Sequence, residues 1–294
     1  MGKTSIEWTD VVYNPVTGCT KVSPGCLHCY AETIDRRFQR DGPHVPWTLH
    51  AQGKAGAPAV HLHPGRLDAP LHWKKPRMVF VNSMSDLFHE QVPDEFIDQV
   101  FGVMAAAPQH TFQVLSKRVE RMLDYILHAE TRVPALNWPL PNLWLGVSVE
   151  NQRWANERLP ILARVPAKVL FVSVEPMLGP VDLNRWLGLH GNRDTDGLSE
   201  FDAPMPEPAI NWVIIGGESG SGARSMDLAW LRDLVSQCQA AGVACFVKQL
   251  GRNPVDSEFL WDSVDGRGHL LLDPKGANPE EWPQSFRVRE MPDA

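Results

Sequence analysis

An α/β fold built on a parallel sheet is what this sequence predicts, on three observations. Short apolar runs rich in Val, Ile and Phe recur along the chain, helix-like segments separate them, and polar residues gather directly after the runs. The predicted strands are 78–82 (MVFVN), 111–115 (TFQVL), 143–149 (LWLGVSV), 169–174 (VLFVSV), 212–216 (WVIIG) and 244–248 (ACFVK). Continuous apolar runs of this kind are expected of parallel strands covered on both faces. Helices are predicted over 94–107, 118–129, 152–164 and 228–241, the last stopped by Gly242. A short strand over 15–18 and a helix over 30–40 make the first unit. Strand, helix and strand repeated this way give right-handed crossovers and a sheet that is open or closed into a barrel.

Composition narrows the class. A chain of 294 residues with 43% hydrophobic and 21% charged residues reads as soluble and globular. One large domain is expected over 1–250, followed by a C-terminal extension over 251–294 packed on it. The net charge of -7 argues against a general polyanion binder and leaves room for a local basic groove. The opening MGKTSIEW has no apolar signal region and no stretch approaches a membrane span, so no membrane partner is expected. Five cysteines do not make a disulfide framework in a chain of this size, which points to a reducing cytoplasm.

Three of those cysteines fall within eleven residues, Cys19, Cys26 and Cys29, on a loop containing Pro24 and Gly25. Thiolates clustered this way suit a soft metal centre. A closed zinc site normally takes four protein ligands, whereas an iron–sulfur cluster held by three leaves one iron open. The competing reading is zinc with a distant fourth ligand; His28 serves poorly as that ligand because it adjoins Cys29. Cys238 and Cys245 repeat the six-residue gap but fall in the last helix and last strand, where free cysteine is an ordinary core residue.

Each predicted strand ends in chemistry. The ends read Asn82-Ser83-Met84-Ser85-Asp86, Ser116-Lys117-Arg118, Ser148-Val149-Glu150, Ser173-Val174-Glu175, Gly216-Gly217-Glu218 and Lys248-Gln249. In parallel α/β architectures the carboxyl ends of the strands are where ligands bind. Asp86, Glu150, Glu175 and Glu218 therefore either grip amino or hydroxyl groups of a cofactor or pair with Arg118 or Lys248 in a structural network. Glu150 and Glu218 are the favoured functional pair. The glycines at 216–222 suit an anion cradle without forming a dinucleotide fingerprint.

A cysteine triad directly after a short first strand, with strand–helix units behind it, resembles the radical S-adenosylmethionine superfamily. The chain is further similar to a phage-associated three-cysteine family of such proteins, through IEWTD at 6–10, NPVTGC at 14–19, CLHCYAE at 26–32 and VNSMSDLFHE at 81–90. GVSVEN at 146–151, IGGESG at 215–220, FVKQLG at 246–251 and the EEWP…FRVREMP tail at 280–292 also match. The resemblance implies a partial (β/α)6-type barrel with an extra C-terminal strand and tail, carrying a [4Fe-4S] cluster on Cys19, Cys26 and Cys29. It also implies S-adenosyl-L-methionine on the open iron, its reductive cleavage to a 5′-deoxyadenosyl radical, and an electron donor as partner. The cofactor would be held by His28, Tyr30, Asn82, Ser83, Ser85, Asp86, Ser116, Lys117, Ser148, Glu150, Ser173, Glu175, Gly216, Gly217, Glu218 and Lys248. The chain departs from the superfamily pattern twice. Its spacing is C-x6-C-x2-C where C-x3-C-x2-C is usual, and NSMSD stands where a Gly-Gly-Glu commonly follows the second strand.

For substrate, CLHCYAE is similar to the cluster loop of the spore photoproduct lyase branch, which repairs DNA. Arg36, Arg37, Arg40, Lys74, Lys75 and Arg77 suit a nucleic acid or nucleotide, and the eleven tryptophans offer stacking surfaces. The alternative is a non-catalytic cluster or zinc protein that binds nucleic acid or a second protein. Residues 42–76, with five of the eleven histidines, and 188–209 are expected as inserted surface loops. The tail from 252, with Trp261, Trp282, Arg287 and Arg289, is expected to fold back over the barrel mouth.

Overall fold

The computed structural model describes residue 4 and residues 6–38, 60–188, 209–257 and 271–293. The fold is mixed α/β on parallel strands, in two compact units: residues 1–148 with 164–168, and residues 149–163 with 169–294.

The first unit holds β1 (Val11–Tyr13), β2 (Val16–Thr17), α1 (Tyr30–Phe38), β3 (His61–Leu62) and β4 (Met78–Val81). These are followed by α2 (Asp94–Ala106), β5 (Thr111–Ser116), α3 (Val119–Arg132) and β6 (Leu143–Ser148). Strands β1, β4, β5 and β6 lie side by side in that order, all parallel, with Val11 opposite Val79, Val79 opposite Phe112, and Val114 opposite Leu145. Every residue of β6 is buried, as expected of a strand covered on both faces. Helix α3 buries Val119, Met122, Tyr125, Ile126 and Ala129, one apolar stripe at helical spacing.

Two expectations change here. The parallel strand that opens the sheet is β1 at 11–13, not 15–18. Residues 16–17 instead pair antiparallel with β3, and Pro15 supplies no ladder donor. Nor is the segment after residue 60 a simple surface loop. Val60 and Pro70 are buried, the Pro70 carbonyl is bonded by His110 Nε2 at 3.1 Å, and the Leu67 carbonyl accepts from Tyr13 OH at 2.9 Å. Residues 42–59 lie outside the described residues.

An aromatic wedge fixes the segment after β4. Phe88 lies 5.9 Å from Tyr125, and Tyr125 stacks on Phe101 at 5.3 Å, joining residues 86–92 to α2 and α3. Arg121 completes the hold by donating to the His89 carbonyl, to the Val92 carbonyl at 2.6 Å and to Asp94 at 2.9 Å.

The second unit holds α4 (Gln152–Leu162), β7 (Val169–Val174), β8 (Trp212–Gly216), β9 (Met226–Asp227), α5 (Leu228–Ala241), β10 (Ala244–Gln249) and β11 (Pro254–Val255). Strands β7, β8 and β10 are parallel neighbours in that order, while β9 pairs with β11. Asp227 caps α5 by accepting from Ala229 N at 2.9 Å, and Gly242 ends the helix at φ 65°, a conformation that glycine adopts without a Cβ penalty. Cys238 and Cys245 pack in this core. The described part of the tail runs along the free edge of β10: Val247 N donates to the Val288 carbonyl and Glu290 N to the Cys245 carbonyl, both at 2.8 Å. Covering an edge removes a row of unpaired backbone groups. Trp282 and Phe286 of the tail are buried, Phe286 beneath Arg232 of α5, and Trp261 lies outside the described residues. No helix among the described residues is long and apolar enough to cross a membrane.

Candidate metal centre

The cysteine loop belongs wholly to the first unit. It leaves β2 through Gly18, whose φ of 91° favours glycine and whose N–H bonds the Met84 carbonyl at 3.1 Å. Cys19 follows, Cys26 ends a 3-10 turn over Pro24–Cys26, and Cys29 sits immediately before α1. All three thiols are half-buried and free.

Each sulfur has a polar hydrogen beside it. Arg118 Nη1 donates to Cys19 Sγ at 3.5 Å, Ser23 Oγ lies 3.8 Å from Cys26 Sγ, and Cys29 accepts from the backbone N–H groups of Ala31 and Glu32 at the start of α1. Burial, with Asp86 behind it, pushes the Cys19 thiol up to about 12, against the pull of Arg118. Burial likewise raises the Cys29 thiol, while the two helix amides and Lys117 draw it back. Cys26 lies within electrostatic reach of both neighbours. Burial thus favours the protonated sulfur, and a metal that binds there as to a thiolate must displace that proton.

Arg118 is the hub. It sits just before α3 and is only 9% exposed. Its Nε donates to Glu90 at 2.9 Å, Nη1 to Asp86 at 3.2 Å and to Cys19, and Nη2 to the carbonyl and hydroxyl of Thr20 at 3.2 and 2.7 Å. A guanidinium has five N–H donors, so the fork is fully engaged. Burial opposes its charge, but Asp86, Cys19 and Glu90 together outweigh that and hold Arg118 above its ordinary value.

Asp86 is held as firmly. Oδ1 accepts from Phe88 N at 3.0 Å and Ser116 Oγ at 2.8 Å, and Oδ2 from Lys117 N at 3.0 Å and Arg118. Those bonds use all the lone-pair sites of a carboxylate. The pairing with Arg118 is one of the two alternatives the sequence offers.

The other predicted residues of this unit surround the loop. Asn14 and Ser83 bond to each other at 3.1 and 3.2 Å, Ser85 Oγ donates to the Val16 carbonyl at 2.9 Å, and Tyr30 OH donates to the Ser83 carbonyl, pinning α1 to the end of β4. Lys117 Nζ donates to Ser148 Oγ at 3.0 Å. His28 is exposed. Asn82 is buried with φ 58°; its Oδ1 accepts from Val16 N at 3.3 Å, while its Nδ2 has no hydrogen-bond partner among the described residues. A buried amide donor without an acceptor is costly unless something supplies one.

Three participants escaped the sequence reading: Thr20, His89 and Glu90. His89 is fully buried, accepts from Gln91 N at Nδ1 and so carries its proton on Nε2, 3.0 Å from Thr20 Oγ1. Burial, reinforced by Arg118, lowers its affinity for a second proton. The His89-Glu90 dipeptide at the end of the VNSMSDLFHE segment was a signal for two of them, and Thr20 had only its place next to Cys19.

The remaining predicted residues belong to the second unit, each already in an interaction. Glu150 is completely buried against Arg158 at 3.1 Å, and Arg158 lies 4.2 Å from the Trp154 ring centroid. Arg224 forks onto Glu218, Nε to Oε2 at 3.0 Å and Nη2 to Oε1 at 2.6 Å. Glu175 pairs with Lys248 at 2.5 Å, again as the sequence allowed. Ser173 is buried in β7, and its carbonyl accepts from Val149 N at 2.9 Å. A Cβ on Gly217 would stand 2.4 Å from the Leu250 carbonyl oxygen, and one on Gly216 would stand 3.2 Å from the Glu175 carboxyl carbon. Gly217 serves close backbone approach between the ends of β8 and β10, while Gly216 leaves room for the side chains of Glu175 and Gln249.

Among the described residues no three His, Cys, Asp or Glu side chains are placed to hold a metal ion as they stand. The donor set nevertheless fits a thiolate-bound group: three soft ligands on one loop, each with a hydrogen-bond donor of the kind metal-bound sulfur accepts.

The fold and site define a mixed α/β protein with polar networks at its parallel strand ends, the one in the first unit set around a three-thiol loop. A family model matches residues 3–275, and the chain belongs to that family, a family of proteins of unknown function designated DUF5131. Neither a curated protein nor a solved structure matches it.

Proposed function

We propose that this protein is an iron–sulfur enzyme of the radical S-adenosylmethionine class, with its cluster on Cys19, Cys26 and Cys29. The observation that carries the reading is a polar group beside each sulfur that can donate to it: Arg118 at Cys19, the Ser23 hydroxyl at Cys26 and the α1 amides at Cys29. Uncharged thiols do not need such a shell, whereas metal-bound thiolates are tuned by it. The cluster when bound supplies the electron that cleaves S-adenosylmethionine. This chain's own residues bind and orient: Asn82 Nδ2 is a buried donor open to an acceptor atom, and Tyr30 and Lys117 flank the loop.

The substrate we propose is a nucleic acid or nucleotide, supported by exposed Lys74 and Lys75 beside Trp73. Electrons come from a separate donor protein, and the cytoplasm keeps the thiols reduced. Partial-barrel geometry of the superfamily kind forms part of the same proposal.

The test is oxygen-free protein, reconstituted with iron and sulfide, reduced, and given S-adenosylmethionine. Chromatography should detect 5′-deoxyadenosine with the wild type and none with Cys26→Ala. Cleavage that persists in Cys26→Ala would end the assignment. Metal uptake without cleavage would favour a non-catalytic metal-thiolate module, a reading consistent with strand-end carboxylates already taken by Arg118, Arg158, Lys248 and Arg224.

A further inference from the structure

We propose that Arg118 is the positioning residue of the thiol centre: its fork holds the Cys19 sulfur where a soft metal group takes it. The inference rests on the metal-centre reading, but not on which metal fills the site.

The bonding pattern separates this role from that of an ordinary ion pair. Three of the fork's bonds go to the Cys19–Thr20 segment, one to the sulfur and two to Thr20, while only two go to the carboxylates of Asp86 and Glu90. The segment it grips lies 98–99 residues away in the chain, so nothing local would place it. The anchor is itself rigid: Arg118 N donates to Ser116 Oγ at 2.9 Å, and Ser116 Oγ donates to the same Asp86 that receives Arg118. His89, with no exposed surface, closes the far side of Thr20. Lysine in this place keeps a charge but cannot make the fork.

Oxygen-free apo protein titrated with cadmium(II), read by thiolate-to-cadmium absorption, tests the role. Arg118→Gln should weaken cadmium binding about tenfold or more, the size typical of a lost second-layer contact. Arg118→Lys should recover only part of it, and Thr20→Val should fall between wild type and Arg118→Gln. Arg132→Gln, which breaks a comparable pair with Asp98 in the same unit, should leave cadmium affinity unchanged. In iron-loaded protein Arg118→Gln should shift the midpoint potential to more negative values, because a donor to sulfur favours the reduced state. If Arg118→Gln does not fold, Arg118→Lys and Thr20→Val carry the measurement.

Equal cadmium affinity in wild type and the Arg118 and Thr20 variants overturns the proposal, as does the absence of thiolate–cadmium absorption in the wild type. Weakened cadmium binding in a protein that takes up no iron and sulfide leaves Arg118 in its role and removes the iron–sulfur reading instead.

Discussion

Asp86→Ala is expected to destabilise the first unit by about 3–5 kcal/mol, the usual cost of removing one partner of a buried charge pair. The side chain is 4% exposed and accepts from two backbone N–H groups, a hydroxyl and a guanidinium. Alanine leaves all four donors short of an acceptor in a site that is almost entirely buried. Asp86→Asn should recover only part of the loss. Its one oxygen can still serve Phe88 and Ser116, but its NH2 then faces Lys117 N and the Arg118 fork, donor against donor. Urea unfolding followed by fluorescence checks this; with an m-value of about 2 kcal/mol/M the midpoint should drop by about 1.5–2.5 M. A midpoint equal to wild type would mean that the network does not hold the strand ends as described.

Glu150→Ala should cost a similar amount, about 3–5 kcal/mol, for the same reason in the second unit. Glu150 has no exposed surface and Arg158 is 3% exposed, so the guanidinium would lose its ion-pair carboxylate while still buried beside Trp154. The double replacement Glu150→Met with Arg158→Leu separates a structural pair from a ligand grip. Well-packed apolar residues in place of a buried pair are often neutral or stabilising. The double variant should therefore unfold near the wild-type midpoint and, on the present reading, retain S-adenosylmethionine cleavage. Wild-type stability with cleavage abolished would return Glu150 to the role of a cofactor contact.

Much of the fold was legible because its strands are continuous apolar runs. VLFVSV at 169–174 and WVIIG at 212–216 begin and end where the sequence placed them, and Gly242 stops α5 as its backbone freedom allows. The opening strand was not, because three residues at 11–13 carry too little pattern to compete with the Pro15–Gly18 turn chemistry. Of the centre, the three cysteines and the strand-end polar groups could be read directly. What holds them could not. Thr20 meets His89 across 69 residues and Arg118 across 98, contacts that no periodicity announces. Asp86–Arg118 was foreseeable from charge at the ends of neighbouring strands, and Glu175–Lys248 from charge at strand ends one strand apart. Glu150–Arg158 and Glu218–Arg224 depended on how the following loop or helix turned back.

The most direct measurement is an iron and acid-labile sulfide determination, with zinc quantified alongside, on protein prepared without oxygen. A cluster held by Cys19, Cys26 and Cys29 requires about four irons and four sulfides per chain, lost together in Cys26→Ala. Zinc alone, or iron and sulfide that survive in Cys26→Ala, would contradict it.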